Sequence, residues 1–503
     1  MRFFTFLTFF ILCFSVAGQN ISLVRDLEPG SLGGSIDLLY AYENKAVFTF
    51  SPFASSATDV YGSDGSDENT FKLNIAVEDI NIYPLSDFID GGGGYIYFRQ
   101  YHLGQHVCNI YRMRKTTMAV SKIASVETWT DFGGFEFFDS KLYYSIEKEL
   151  FAIDLLSFET SLIKKFDKFD VIGIKKYNNQ LYFLAGEASD RYGIYVSSDG
   201  SAGNIHEIKT FSNSSPIPSQ QVSYIGLGNK LLFTMNLGPG QCGMFVTDGT
   251  ADGTFKLIEM HGESFFNQRY AVLNNKAYFT GRKVDGEWNE RFVFYTDGTV
   301  AGSGILDNSK ITYNFVGFVP FDGKLYFTSD AGAIESDGTQ AGTQLFSEAK
   351  AGTFATYNDS LFYTNTSGYL FAWKGGAAIQ KKADGKFIKS YSKILPAEEN
   401  CFFVGDNGDY GYELYVMKGS ETNKLKEAVI ENVRLYPNPA VASLSVAPDM
   451  VGAHVTITDM TGKLVRTEKQ ADSTIDIGNL ASGTYFVLIR KSGRLYRSAF
   501  VKL

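Results

Sequence analysis

Residues that could do chemistry are few and scattered. Histidine occurs five times. In HLGQHVC, His102, His106 and Cys108 have a spacing that a transition metal could use. Gly104 lies between the two histidines in a loop joining two strands, and no fourth ligand is near in sequence, so a solvated loop is the simpler reading. The stretch GDNGDYGYE supplies Asp406, Asn407, Asp409 and Glu413, oxygen donors of the kind calcium prefers. Their spacing is not that of an EF-hand, and the stretch reads as a polar loop between strands, with calcium as the alternative. The run Gly91 to Gly94, inside IDGGGGYIYF, reads as a turn rather than a phosphate cradle. HExxH, GxSxG and a glycine loop opening a helix are absent from the chain. The 55 acidic residues could place paired carboxylates for glycoside hydrolysis, but no pair is singled out. The sequence points to no catalytic residue, no cofactor and no metal ligand.

The ends bound the compartment. Met1-Arg2 precedes the apolar stretch FFTFLTFFILCFSV and then Ala17-Gly18, the pattern of a secretory signal peptide over residues 1–18. Cys13 would suit a lipoprotein only with small residues before it, and Phe10, Ile11 and Leu12 stand there instead. No other stretch is long and apolar enough for a transmembrane segment. Past the signal the cysteines are Cys108, Cys242 and Cys401, an odd number without a CxxC, which reads as core packing rather than a disulfide framework or zinc site. The net charge is -9, with no basic cluster ahead of the C-terminal residues. Nucleic acid is therefore excluded as a partner, and a neutral or cationic one fits better.

The elements that would position any site are short strands. The chain of 503 residues carries 50 glycines and 15% aromatics. It repeats an apolar segment, a short polar turn and a second apolar segment, as in VLNNKAYFT, VPFDGKLYFT and ATYNDSLFYT. That is hairpin grammar. A third strand follows, then an Asp-Gly element (SSDGSAG, VTDGTADGT, YTDGTVAGS, ESDGTQAGT) and a fourth strand. Four antiparallel strands per repeat, at propeller-like spacing, predict an all-β protein with about eight blades, in a range of seven to nine. Ile21-SLVRDL reads as a detached fourth strand that would latch the ring if it joined the last blade. The Asp-Gly elements read as turns between third and fourth strands.

The units GKLYFTS, GYELYV and TDGTxAGT resemble the ELWxxDGTxxGT repeat of secreted bacterial proteins, described as propeller-like, over roughly residues 20–428. The family's Trp is replaced here by Tyr, Phe or Ile, and several units lack the full Asp-Gly-Thr. The resemblance implies a fold more than an activity.

Near Glu431 the spacing changes. Alternating strands from Ser443 to the terminus predict a small immunoglobulin-like β-sandwich, with a hairpin turn at Met460-Thr461-Gly462 and with LYPNPA, whose prolines remove two backbone donors, as a connecting linker. The order LYPNPA, DMTGKLV, IDIGNLASGTYFVLI and terminal FVKL resembles the C-terminal sorting domain of the type IX secretion system. That resemblance implies passage through the periplasm to the outer-membrane surface or beyond, with the secretion machinery as partner. From Val429 onward there are 9 basic and 6 acidic residues, while the part from Gln19 to residue 428 carries a net -13.

The expected organisation is a signal peptide at 1–18, a propeller at 19–428 and a sorting domain at 429–503. The expected role is non-enzymatic binding of a protein or glycan at the cell surface, since repeated blades present many similar loops on one rigid face. The alternative is a surface polysaccharide or peptide hydrolase with acidic residues at the propeller axis.

Overall fold

The computed structural model describes residues 20–30, 33–53, 58–75, 85–102, 104–129, 132–188, 191–212, 222–236, 242–260, 270–283, 291–311, 317–329, 332–347, 353–390, 392–419, 430–432, 435–446, 453–459, 464–469, 474–491 and 494–503. The signal peptide with Cys13, and the turn at 460–462, lie outside them. The chain divides into two compact units, residues 1–420 and 421–503.

The first unit is a nine-bladed β-propeller among the described residues. Eight antiparallel four-stranded sheets follow in chain order: blades 1 to 8 at residues 35–72, 86–127, 135–165, 169–212, 224–259, 270–311, 319–347 and 354–380. The ninth is assembled from both ends of the unit. Two short segments, Lys389–Ser390 and Leu395–Pro396, pair with Asn400–Asp406, which pairs with Glu413–Lys418. The fourth strand is the N-terminal Asn20–Arg25, antiparallel to Glu413–Lys418 with Ile21 opposite Met417. The expected latch is present, and the count of blades settles at the top of its range.

Nine apolar cores alternate with the blades. The period-2 pattern of each strand sends alternate side chains to opposite sheet faces, so every blade feeds two cores. In blade 5, Leu232 packs toward blade 6 and Phe233 toward blade 4. The circle closes where Val24, Phe402 and Leu414 meet Ile36, Leu38 and Phe48 of blade 1. Polar contacts reinforce that seam: Glu399 N-H donates to Asn44 Oδ1 at 2.7 Å, and Asn400 Nδ2 donates to the carbonyls of Asn44 and Asp64, each at 2.9 Å. Cys108, Cys242 and Cys401 are buried and unbridged, consistent with core packing.

The Asp-Gly elements are self-contained turns. In VTDGTADGT, Asp248 Oδ1 accepts the Thr250 N-H at 2.9 Å and the Thr250 hydroxyl at 2.7 Å. Gly253 N-H donates to Thr250 Oγ1 at 3.0 Å, and the Thr247 and Thr254 hydroxyls sit 2.7 Å apart. The same set recurs around Asp297 and Asp337. Each glycine has its own reason. Gly249 adopts φ +92°, and a Cβ on Gly253 would meet the Asp248 carboxylate at 2.0 Å. Repetition of the motif thus follows from the turn's internal bonding.

The second unit packs a five-stranded sheet against the pair Ser443–Ser445 and Thr474–Asp476. In the larger sheet Ile430–Asn432 runs parallel to Arg494–Lys502, followed by Gly483–Lys491, His454–Asp459 and Leu464–Lys469. LYPNPA is not a linker. Leu435 and Ala440 are buried in the core, Asn438 exchanges side-chain hydrogen bonds with Ala499 O and Val501 N, and Ala440 N-H donates to Val501 O at 2.8 Å. The prolines forbid a central ladder, as expected, but not an edge position held by the residues beside them.

Candidate binding face

In an antiparallel blade the first and third connections emerge at one end and the second at the other. The turns between first and second strands therefore share one face of the ring with the Asp-Gly turns. These first turns are asparagine- and aspartate-rich because both central residues take positive φ: Asn178 and Asn179 (44°, 58°), Asn274 and Asn275 (49°, 58°), Asp322 and Gly323 (47°, 72°), Asn358 and Asp359 (47°, 52°). Geometry of the turn thus selects a polar, acid-rich rim. The carboxyls of Asp248, Asp297 and Asp337 are held below the ordinary carboxylate range, chiefly by the hydroxyl of the threonine two residues on.

In three blades a tyrosine joins neighbouring turns to one another. At the last position of the first strand, Tyr177 sends its hydroxyl to Gly228 O of blade 5 at 2.6 Å, Tyr357 reaches Glu399 O of blade 9, and Tyr42 reaches Lys115 O of blade 2 at 3.4 Å. Phe138 and Leu227 occupy that position in blades 3 and 5 and are buried in inter-blade cores. Blade 7 has Phe321 there, half-buried and packed against the core between blades 7 and 8. Between it and the blade 8 turn lies a cleft of about 620 Å³, lined by Phe321, Asp322, Thr356, Tyr357, Asn358 and Asp359 among others.

Of the first-strand carboxylates, Asp37, Asp87 and Glu136 are matched by cations, whereas burial, with repulsion from Glu147 added, raises the pKa of Asp170 in blade 4. Glu136 of blade 3 pairs with Lys175 of blade 4 at 2.8 Å, Asp87 pairs with Arg99, and Asp37 lies 4.0 Å from Lys393 across the closing seam. Paired carboxylates for hydrolysis need one acid and one base held apart without such partners.

The residues weighed for metals do not converge. Asp406 accepts the Gly408 N-H, Asp409 pairs with Lys386, and Glu413 turns toward the N-terminal segment. His102 is buried at a strand end, the His106 ring stacks on Trp129 at 3.9 Å, and Cys108 lies in the core between blades 2 and 3. Among the described residues, no three His, Cys, Asp or Glu side chains gather as metal ligands. Gly92, Gly93 and Gly94 form a positive-φ turn in blade 2, with Gly92 N-H bonded to Asp90 Oδ1 at 3.0 Å.

Glu413 instead carries a pH dependence. It is fully buried, and its carboxylate accepts the N-H groups of Leu27 at 3.1 Å and Glu28 at 3.3 Å. Burial raises its pKa from 4.5 to about 7 against the lowering effect of those two bonds, with Asp26 and Glu28 adding repulsion. The folded state therefore holds the proton more tightly than the unfolded one. Its stabilisation is complete below about pH 4.5 and is lost as pH rises through about 7, a change on the order of 3 kcal/mol. Urea midpoints measured at pH 4.5 and pH 8 should differ for the native chain and converge in Glu413→Gln; an unchanged pH dependence in the variant refutes the assignment.

With both units in view, the sequence comparisons decide the second. Residues 434–502 match the family described as the secretion system C-terminal sorting domain. The C-terminal unit is a type IX secretion sorting domain. A sorting domain implies the type IX machinery as partner and export to the cell surface or outside; no helix among the described residues is long and apolar enough to cross a membrane. No curated protein shows significant sequence similarity to the chain. Similar solved structures include PorZ, a surface component of the type IX secretion system of Porphyromonas gingivalis, at 12% identity over 93% of this chain and 86% of that one, with a TM-score of 0.27. BamB from Moraxella catarrhalis is 10% identical over 67% and 96%, with a TM-score of 0.35. The β-propeller domain of the Trilobed protease from Pyrococcus furiosus is 13% identical over 71% and 99%, with a TM-score of 0.34.

The cleft escaped the sequence reading.

Proposed function

We propose that the mature chain is a non-enzymatic binding protein, its propeller (19–428) exported after loss of residues 1–18 and delivered to the cell surface by the sorting domain (429–503). The observation that carries this reading is the turn face of the ring, a rigid surface of internally bonded turns that includes a cleft between blades 7 and 8. The ligand is a protein or glycan engaged through that face. Three first-strand carboxylates, Asp37, Asp87 and Glu136, each face a cation, which favours binding, while Asp170 with its raised pKa is the residue a hydrolase reading would rest on. Incubating the mature chain with polysaccharides and peptide substrates should yield saturable binding without product. Turnover that survives purification to homogeneity would overturn the reading in favour of a surface hydrolase.

A further inference from the structure

We propose that Trp129 and Phe53 form a docking surface for lysine and arginine side chains of a protein partner, on the face of the ring opposite the turn face. This second surface stands independently of the binding function proposed above.

Placement comes first. Trp129 follows the fourth strand of blade 2, and Phe53 follows the second strand of blade 1, so both lie on neighbouring blades at the end where second and fourth connections emerge. They leave 78% and 70% of their surface exposed, more than any other aromatic among the described residues. Both are nevertheless held. The Trp129 indole stacks on the His106 ring at 3.9 Å and 28°, and Thr128 beside it donates its N-H to His106 O at 2.8 Å. The backbone of Phe53 is pinned by its N-H donating to Glu28 Oε2 at 2.7 Å. An indole supported on one side and open to water on the other is already ordered for a ligand.

Charge then selects the partner. Each ring has a carboxylate near it: Glu127, exposed at the strand end two residues before Trp129, and Glu28, which holds Phe53 and has Asp26 and Glu413 as acidic neighbours. An aromatic face attracts a cation through its quadrupole, and a carboxylate beside it adds to the attraction. The chain uses this pairing on itself, with Arg112 over Tyr95 at 5.0 Å and Lys382 over Phe387 at 4.5 Å. Among the described residues no Lys or Arg lies over Trp129 or Phe53. These two rings are left for a cation from outside. The propeller's net charge of -13 draws a basic surface toward it, and the aliphatic stems of lysine and arginine cover apolar rings while their heads reach the carboxylates. Rigid, exposed aromatics are also the residues on which protein interfaces concentrate their binding energy.

The test uses the full mature chain labelled with 5-fluorotryptophan. Its three tryptophans give three fluorine resonances, and that of Trp129 is the one lost in Trp129→Leu. Hexalysine or hexaarginine should shift this resonance, and less so as salt is raised. In calorimetric titration the same peptides should bind Trp129→Leu and Glu127→Gln about threefold or more weakly at unchanged melting midpoints, while Trp129→Phe keeps most of the affinity. Glu159→Gln, which removes an exposed carboxylate from the opposite face of blade 3, should bind as the native chain does. Native affinity in Trp129→Leu, with the resonance unmoved in the parent chain, would place the peptides elsewhere on the acidic ring and overturn this surface. A shift produced by cellohexaose and by neither peptide would put a sugar in place of the cation and overturn the assignment. A resonance unmoved by all three would refute the docking surface while leaving the function proposed for the turn face standing.

Discussion

A chain carrying Ile21→Asp and Val24→Asp should unfold at markedly lower denaturant than the native protein, a loss of about 4 kcal/mol or more. The two residues lie on one short strand but serve different cores. Ile21 packs into the core between blades 8 and 9, and Val24 into the core between blades 9 and 1. Both are nearly fully buried. An isolated carboxylate cannot be accommodated in either place, and the strand that must leave is the fourth strand of blade 9. Its loss exposes the ladder of Glu413–Lys418 and uncovers two flanking cores at once. A ring with a breach then behaves as a linear array, in which terminal repeats have only one neighbour and open first. Hydrogen exchange should therefore rise earliest in blades 9 and 1 and last in blades 4 and 5. Denaturation at the native midpoint, with uniform exchange, would show that the N-terminal strand is dispensable for closure.

Deleting residues 431–503 should abolish delivery to the surface and leave the propeller in the periplasm. The deletion removes the sorting domain matched at 434–502 together with Glu431, whose strand pairs with the last strand of that unit. Among the described residues the propeller's nine cores contain none beyond Met417, so the truncated chain should keep its fold. Cell fractionation and protease accessibility on intact cells measure the outcome, and circular dichroism of the retained protein separates mis-sorting from misfolding. Surface exposure at the native level would refute the role assigned to this unit.

Both architectures were legible from period and turn chemistry. Hairpins such as VLNNKAYFT carry their turn type in the Asn-Asn pair, because only residues that tolerate positive φ connect two strands so tightly. The N-terminal strand was legible as well, since ISLVRDL repeats the fourth-strand pattern without the three strands that should precede it. The ninth blade was harder, because its first strand is broken into Lys389–Ser390 and Leu395–Pro396, too short to show alternation. LYPNPA misled because two prolines advertise an extended segment, while the burial of Leu435 and Ala440 depends on partners more than 50 residues away near Val501. Glu413 was read as a possible calcium donor because its neighbours in sequence are acidic; in space its carboxylate faces the backbone of Leu27 and Glu28. Local pattern reports turns and strand faces, whereas burial of a carboxylate is decided by residues far away in the chain.

The strand at Asn20–Arg25 has a further consequence, for the order in which a chain can be completed. Its partners at Glu413–Lys418 are the last ones of the propeller to be made, so the seam between them can form only after the eight intervening blades have been synthesised. The export signal lies downstream of those partners in the sequence. A chain that stops short of Glu413 lacks both the seam and the address. Position along the polypeptide thus works as a length check: only products long enough to finish the ring carry the domain that sorts them to the surface.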